Sequence, residues 1–314
     1  MKTDLLFDPI QSKTLLGLNN FLLEFTDLYN KNMLPKISLI NGKKGIGKCT
    51  MINHFLNYIF SKDMTDQYDL DNFTIKDESI IYKQIINGSF QNVIYLNLHE
   101  GDNIKIDDVR NLKDLLLKST LNNKPRFVVI NEVEYLNINS INALLKVIEE
   151  PSDNNYFILI NNNQAELIET LSSRCLKTNI FLNEDERINT IKSLIDLHDL
   201  EPVIDYQKSD LTPGLFLRYN FFCTNNNLLI NNDIESKISI LLNYYKKNKD
   251  LTAINLLIFF IEEYFYQLSI ENNSKIFSIV AIKNNIIRNI NNFVKYNLNI
   301  NSINNLINTE FKNV

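Results

Sequence analysis

The chain has 314 residues, 45% of them hydrophobic, and three widely separated cysteines, Cys49, Cys175 and Cys223. Such a length supports two or three domains with ordinary cores, while cysteines without a Cys-x-x-Cys pair argue against a zinc module or disulfide framework and fit a reducing cytoplasm. A net charge of −5 means that any contact with nucleic acid must be local rather than bulk attraction.

The N-terminus, Met1-Lys2-Thr3-Asp4, has no basic segment followed by an apolar run, and the most apolar stretch, Leu256 to Ile261, is cut by Glu262-Glu263. Neither secretion nor membrane insertion is expected. From residue 37 to 181 short apolar runs alternate with helical patterns. Ile37–Ile40, Val93–Leu98, Phe127–Ile130, Tyr156–Ile160 and Asn179–Phe181 are the expected strands, which predicts an α/β fold with a largely parallel sheet.

The first run leads into Gly42-Lys43-Lys44-Gly45-Ile46-Gly47-Lys48-Cys49-Thr50, and a helix is expected from Thr50 to Phe60. The loop matches G-x-x-x-x-G-K-[ST] except that Cys49 stands where a hydroxyl should hold magnesium. Gly42, Gly45 and Gly47 let the backbone curl so that its N–H groups face an anion at a helix N-terminus, with Lys48 reaching the terminal phosphates. The candidate nucleotide site is therefore Gly42, Gly45, Ile46, Gly47, Lys48, Cys49 and Thr50; Lys43 and Lys44 read as nucleotide-proximal or solvated. A plain glycine turn with surface lysines would explain the glycines, but not the strand, spacing and helix together.

Phe127–Ile130 runs into Asn131-Glu132-Val133-Glu134, the shape of an acidic metal-facing motif whose first acid is missing. Asn131 cannot supply that charge, whereas Glu132 retains general-base chemistry in principle. A soft thiol at position 49 compounds the loss, and any rescue would fall to Thr50. Two departures thus fall on the same ion, and no metal ligand is assigned. Next, Ile141, Leu144, Leu145 and Ile148 recur at helical spacing, with Pro151 as a stop. Leu171-Ser172-Ser173-Arg174-Cys175 follows. Taken alone, Arg174 reads as a solvated residue or half of a weak ion pair.

Beyond residue 181, Asn183-Glu184-Asp185-Glu186 starts a helix carrying Ile188, Ile191, Leu194 and Ile195. A linker is expected at Thr224–Asn227. Helical stripes then run to the end, among them Ile238, Leu241, Leu242, Tyr245 and Ile286, Ile287, Ile290, Phe293, Val294.

The loop at 42–50, Ile106-Asp107-Asp108-Val109-Arg110, Asn142-Ala143-Leu144-Leu145-Lys146-Val147-Ile148-Glu149-Glu150-Pro151 and Ser173-Arg174-Cys175 together resemble the AAA+ subunits of bacterial sliding-clamp loaders, over residues 5–220. The resemblance implies a P-loop domain with a parallel sheet at 1–181, a small helical lid at 182–222 and an all-helical, oligomerising collar at 223–314. It implies work in the cytoplasm within the DNA polymerase III holoenzyme. The expected partners are gamma/tau and delta subunits in a hetero-pentamer, the sliding clamp, and primer-template DNA held through the assembled complex, with no membrane.

Within that family the chain looks most like the stator, delta-prime. Motor subunits carry a four-cysteine zinc module between the loop and the acidic strand, and here no cysteine lies between Cys49 and Cys175. Motors also keep an intact acidic pair, and delta generally lacks Ser-Arg-Cys. The zinc module is usual in delta-prime of many bacteria too, so its absence is a departure. The resemblance makes Arg174 a finger donated in trans to a neighbour's ATP site and Glu132 a vestigial base. It implies weak binding of ATP or ADP with magnesium, no zinc and no turnover of its own. Thr212-Pro213-Gly214, with Arg218 beyond, stands loosely where the family carries a second sensor. The alternative is an active motor subunit in which Thr50 and Glu132 suffice. A P-loop small-molecule kinase is a third reading that leaves Glu149-Glu150-Pro151 and Ser173-Arg174-Cys175 unexplained.

Overall fold

The computed structural model describes residues 8–96, 106–116, 124–149, 154–226, 228, 233–272 and 275–311. By contacts the chain divides into two compact units, residues 1–200 with 212–215, and residues 201–211 with 216–314.

The first unit is built on five strands, β1 (Ile37–Asn41), β2 (Val93–Leu96), β3 (Arg126–Ile130), β4 (Asn155–Asn161) and β5 (Leu176–Asn179). All pairings are parallel, in the order β2-β3-β4-β1-β5. A parallel sheet is covered on both faces, which is why its central strands read as unbroken apolar runs. Alternate residues divide between two cores. Phe127, Val129, Ile158 and Ile160 pack with Phe25 of α1 (Asn19–Asn30) and Ile52, Phe55 and Phe60 of α2 (Lys48–Ser61); Ile81 and Ile85 of α3 (Ile80–Ile86) belong to the same core. Leu39, Val128, Ile130, Phe157 and Leu159 pack on the other side with Val109 and Leu112 of α4 (Ile106–Leu116) and Ile141, Leu144 and Ile148 of α5 (Ile138–Ile148).

Four expected strands stand where the sequence puts them, within a residue or two. Asn97 and Leu98 of the second lie outside the described residues, as do Glu150, Pro151 and Asn227. The fifth is displaced: β5 spans Leu176–Asn179 rather than Asn179–Phe181. It is an edge strand joined to β1 through its backbone, with mostly exposed side chains. The apolar signal belongs to Ile180, buried just beyond its end.

A short helix, α6 (Glu169–Ser172), precedes β5, and α7 (Glu184–His198) follows it. The α7 start is a capping box in which Asn183 accepts from the Glu186 N–H while the Glu186 carboxylate accepts from the Asn183 N–H.

The helix α8 (Pro213–Asn225), part of the second unit from Phe216 onward, continues through Thr224 and Asn225, so the expected linker overlaps a helix end. Four more helices follow, α9 (Ile234–Asn248), α10 (Leu251–Glu271), α11 (Ile276–Tyr296) and α12 (Ile300–Phe311). They pack in sequence, and α12 returns to α9. The expected stripes point inward: Ile238, Leu241, Leu242 and Tyr245 of α9, and Ile286, Ile290 and Phe293 of α11, are buried. Among the described residues α10 is the one helix long and apolar enough to cross a membrane. Here its Leu256, Leu257, Ile261 and Phe265 are buried in a bundle that includes α9 and α11.

Candidate functional site

The candidate loop connects the end of β1 to the start of α2, in the plane of the sheet's carboxyl edge. Gly45 and Gly47 both take left-handed backbone, with φ of 82° and 97°, a conformation open to glycine at little cost. At Gly42 an added Cβ would run into the Ile180 carbonyl, and at Gly45 into the Thr212 hydroxyl. Close backbone approach therefore explains Gly42, and both approach and φ explain Gly45. The loop ends on the first turn of α2, whose N–H groups face outward along the helix dipole. Cys49 on that turn and Ile46 in the loop before it are buried, and Thr50 is half-buried.

Lys48 is buried and folds back on the loop, donating to the carbonyls of Gly42 at 2.7 Å and Lys43 at 2.8 Å. Burial lowers its ammonium from 10.5 to about 8, opposed chiefly by the charge of Glu134. The middle of the loop is tied down as well. Thr212 donates its hydroxyl to the Lys44 carbonyl at 2.7 Å, and the Gly214 N–H donates to the Gly45 carbonyl at 2.8 Å. Lys44 Nζ pairs with Glu132 Oε1 at 2.7 Å, the side chains being 26% and 8% exposed.

The fit to a magnesium-bound nucleotide is divided. The glycines, the α2 N-terminus and Lys48 suit a phosphate. The metal side does not fit: burial pushes the Cys49 thiol up to about 12, so it stays protonated and is no ligand for a hard cation, and Asn131 carries no charge. Among the described residues no group of three or more His, Cys, Asp or Glu is placed to hold a metal ion.

The motif after β3 bends sharply. Glu132 has left-handed backbone, φ 54° and ψ 45°, and leads into a turn of 3-10 helix at Val133–Tyr135. Glu134, to which sequence reading assigned no role, is buried there. Its Oε1 accepts from the Asn162 N–H at 2.9 Å, and its Oε2 has no hydrogen-bond partner among the described residues. The available signal was a second acid two places after Glu132. A ladder of amides crosses the strand ends: Asn161 donates to Asn41 Oδ1 at 3.0 Å, and Asn41 donates to Asn179 Oδ1 at 3.2 Å. Parallel register places these three residues opposite one another.

Arg174 follows α6, and its neighbours shape that turn. Ser172 and Ser173 return their hydroxyls to the carbonyls of Glu169 and Thr170, and the Cys175 thiol donates to the Leu171 carbonyl. Burial raises the Cys175 thiol to about 11, consistent with a structural role. The Arg174 guanidinium donates to the Thr170 carbonyl at 2.8 Å and pairs with Glu149 Oε1 at 3.1 Å, with side chains 40% and 49% exposed. The structure thus joins residues 42–50 to Glu132 through Lys44, and holds Arg174 through Thr170 and Glu149. Arg218 lies in the second unit, on α8, where burial lowers its guanidinium.

A five-stranded parallel sheet with a glycine loop between its β1 strand and the following helix defines a P-loop α/β protein of the AAA+ class. Residues 17–184 match the family model described as DNA polymerase III, delta subunit. The chain belongs to that family. Among curated relatives, DNA polymerase III subunit gamma of Buchnera aphidicola subsp. Schizaphis graminum is 23% identical over 72% of this chain and 63% of its own length. DNA polymerase III subunit delta' of Buchnera aphidicola subsp. Baizongia pistaciae is 35% identical over 31% of this chain and 29% of its own length. The delta' subunit of Haemophilus influenzae is 34% identical over 30% of this chain and 29% of its own. The chain therefore spans less than two thirds of the length of each of these relatives. A solved gamma subunit-related protein of Thermotoga maritima covers 92% of this chain and 99% of its own at a TM-score of 0.44 and 17% identity.

Proposed function

We propose that this chain is a delta-prime-type stator of the clamp loader, which helps to load the sliding clamp on primed DNA and completes a neighbour's ATP site with Arg174. The observation that carries this reading is a division of labour within one unit. The chain's own loop keeps its anion-binding glycines but has a protonated thiol and a neutral amide where a hydroxyl and a carboxylate are needed, while Arg174 sits exposed on a turn shaped by its own motif. Such a loop holds ATP or ADP weakly and turns none over. An exposed guanidinium can instead reach a partner's phosphates and stabilise charge on the transferred group.

The partners in this proposal are gamma/tau and delta subunits in a pentamer, with DNA gripped through backbone phosphates shared over the subunits. The three-domain division at 181 and 222, with lid and collar, belongs to the same proposal, as does work in the cytoplasm. One observation favours a second reading, that of an active motor: the relative matched over 72% of this chain is a gamma subunit.

The test is the DNA- and clamp-stimulated ATPase rate of a reconstituted loader carrying wild type or Arg174→Ala, with the isolated chain assayed in parallel. Loss of activity in the variant complex, with none from the chain alone, is the stator's outcome. An unchanged complex together with turnover by the chain alone would replace it with the motor.

A further inference from the structure

In a loaded P-loop site the phosphates and their cation bridge the loop to the end of the metal-facing strand. Here the same two places are bridged by protein. Lys44 lies in the middle of the loop and Glu132 just beyond β3, 88 residues later, and their side chains meet at 2.7 Å. The pair is sheltered, Glu132 most of all, and removing one partner of a sheltered pair is far more costly than the pair's own net contribution. Glu132 reaches this position from left-handed backbone, which a non-glycine residue keeps only where its surroundings over-determine it. The backbone of the same loop residues is held independently by Thr212 and Gly214, so the centre of the loop is fixed by side chain and main chain together.

We infer that Lys44 and Glu132 replace nucleotide and its cation as the tie between the loop and β3, so that the loop keeps its shape with no ligand bound. Glu132 is then a countercharge rather than a base. This rests on reading residues 42–50 as a phosphate loop, and it supplies what a stator needs: a P-loop domain whose form does not follow the nucleotide.

The experiment uses the purified full-length chain, thermal unfolding, and calorimetric titration with ADP, with and without magnesium. ADP is chosen because hydrolysis cannot then complicate binding. Glu132→Gln removes a negative charge that repels phosphate beside the loop, so ADP binds about tenfold more tightly or better. Lys44→Met breaks the same tie but also removes a cation, so it brings no such gain. Both variants lower Tm by a few degrees, roughly 2–6 °C, and the exchanged pair Lys44→Glu with Glu132→Lys recovers most of that loss. ADP raises the Tm of wild type by less than it raises that of Glu132→Gln. If ADP stabilises wild type as much as Glu132→Gln, or if neither single variant loses stability, the inference is overturned. If both lose stability, the exchange rescues, and no variant binds ADP, the tie stands and the phosphate-loop reading falls.

Discussion

Lys48 and Arg174 are both cations that the family's chemistry would aim at phosphate, and their surroundings are opposite. Lys48 is buried, its ammonium spent on two carbonyls of its own loop and its proton loosened by desolvation. Arg174 keeps its charge at the surface, held by one carbonyl and by a carboxylate that is itself half in water. A cation satisfied from within acts as structure. A cation whose partner is exposed can exchange that partner for a stronger anion at little cost, because exposed pairs contribute only about 0–1 kcal/mol.

The contrast is broken most directly at Arg174. In an assembled loader Arg174→Ala is expected to lower the neighbouring subunit's ATPase by about 10³–10⁵, and Arg174→Lys to recover little of it, since an ammonium lacks the planar fork. An unchanged rate would make Arg174 an ordinary surface residue. Next in size is repair of the buried side. Asn131→Asp with Cys49→Thr restores oxygen ligands, and ADP titrated with and without magnesium should then show a metal-dependent gain of about tenfold; absence of any gain means that the loop is closed to nucleotide.

The Lys48 environment gives a smaller, pH-resolved effect. Its folded pKa of about 8 lies below the ordinary value of 10.5, so between those values the unfolded chain binds more protons and stability rises with pH. The thiols of Cys49, Cys175 and Cys223, raised by burial from 9.0, oppose that trend from about pH 9, and Tyr95 and Tyr219, whose phenols are raised by burial, oppose it above about pH 10. The measurement is therefore the difference between wild type and Lys48→Met in unfolding free energy from pH 7.5 to 10, and equal slopes would refute the assignment. Smallest is Glu149→Gln, which frees Arg174 from its restraint; the loader's apparent affinity for ATP should change by less than about fivefold, and less still at high salt. A change as large as that of Arg174→Ala would mean that Glu149 does more than hold a side chain.

The α/β core was legible because burial on both faces leaves runs such as Phe127–Ile130 with no polar interruption. The loop was legible because glycines are required where φ is positive or backbones touch. β5 was not, since an edge strand is held by main-chain bonds and Leu176–Asn179 has no apolar pattern to announce it. Asparagine is a poor punctuation mark in so Asn-rich a chain, so nothing singles out Asn137, which caps α5 by accepting from the Ser140 N–H. The tie between Lys44 and Glu132 was equally invisible. Each residue reads as reasonable alone, and only the folded sheet brings positions 88 apart to hydrogen-bonding distance.

The amide ladder at the strand ends has a consequence for how the protein ages. Asn-Gly sequences cyclise and deamidate readily when the glycine nitrogen can swing onto the asparagine side chain, and the chain has such pairs at Asn41-Gly42 and Asn87-Gly88. At the first, the Asn41 amide is engaged on both sides by Asn161 and Asn179, and the Gly42 N–H is already donated to the Asn161 carbonyl. At the second, the Gly88 N–H is donated only within its own turn, to the Ile85 carbonyl, and both residues lie exposed at the end of α3. On storage the new negative charge therefore arises first at Asn87, far along the chain from the loop, and the ladder beside the glycines outlasts it.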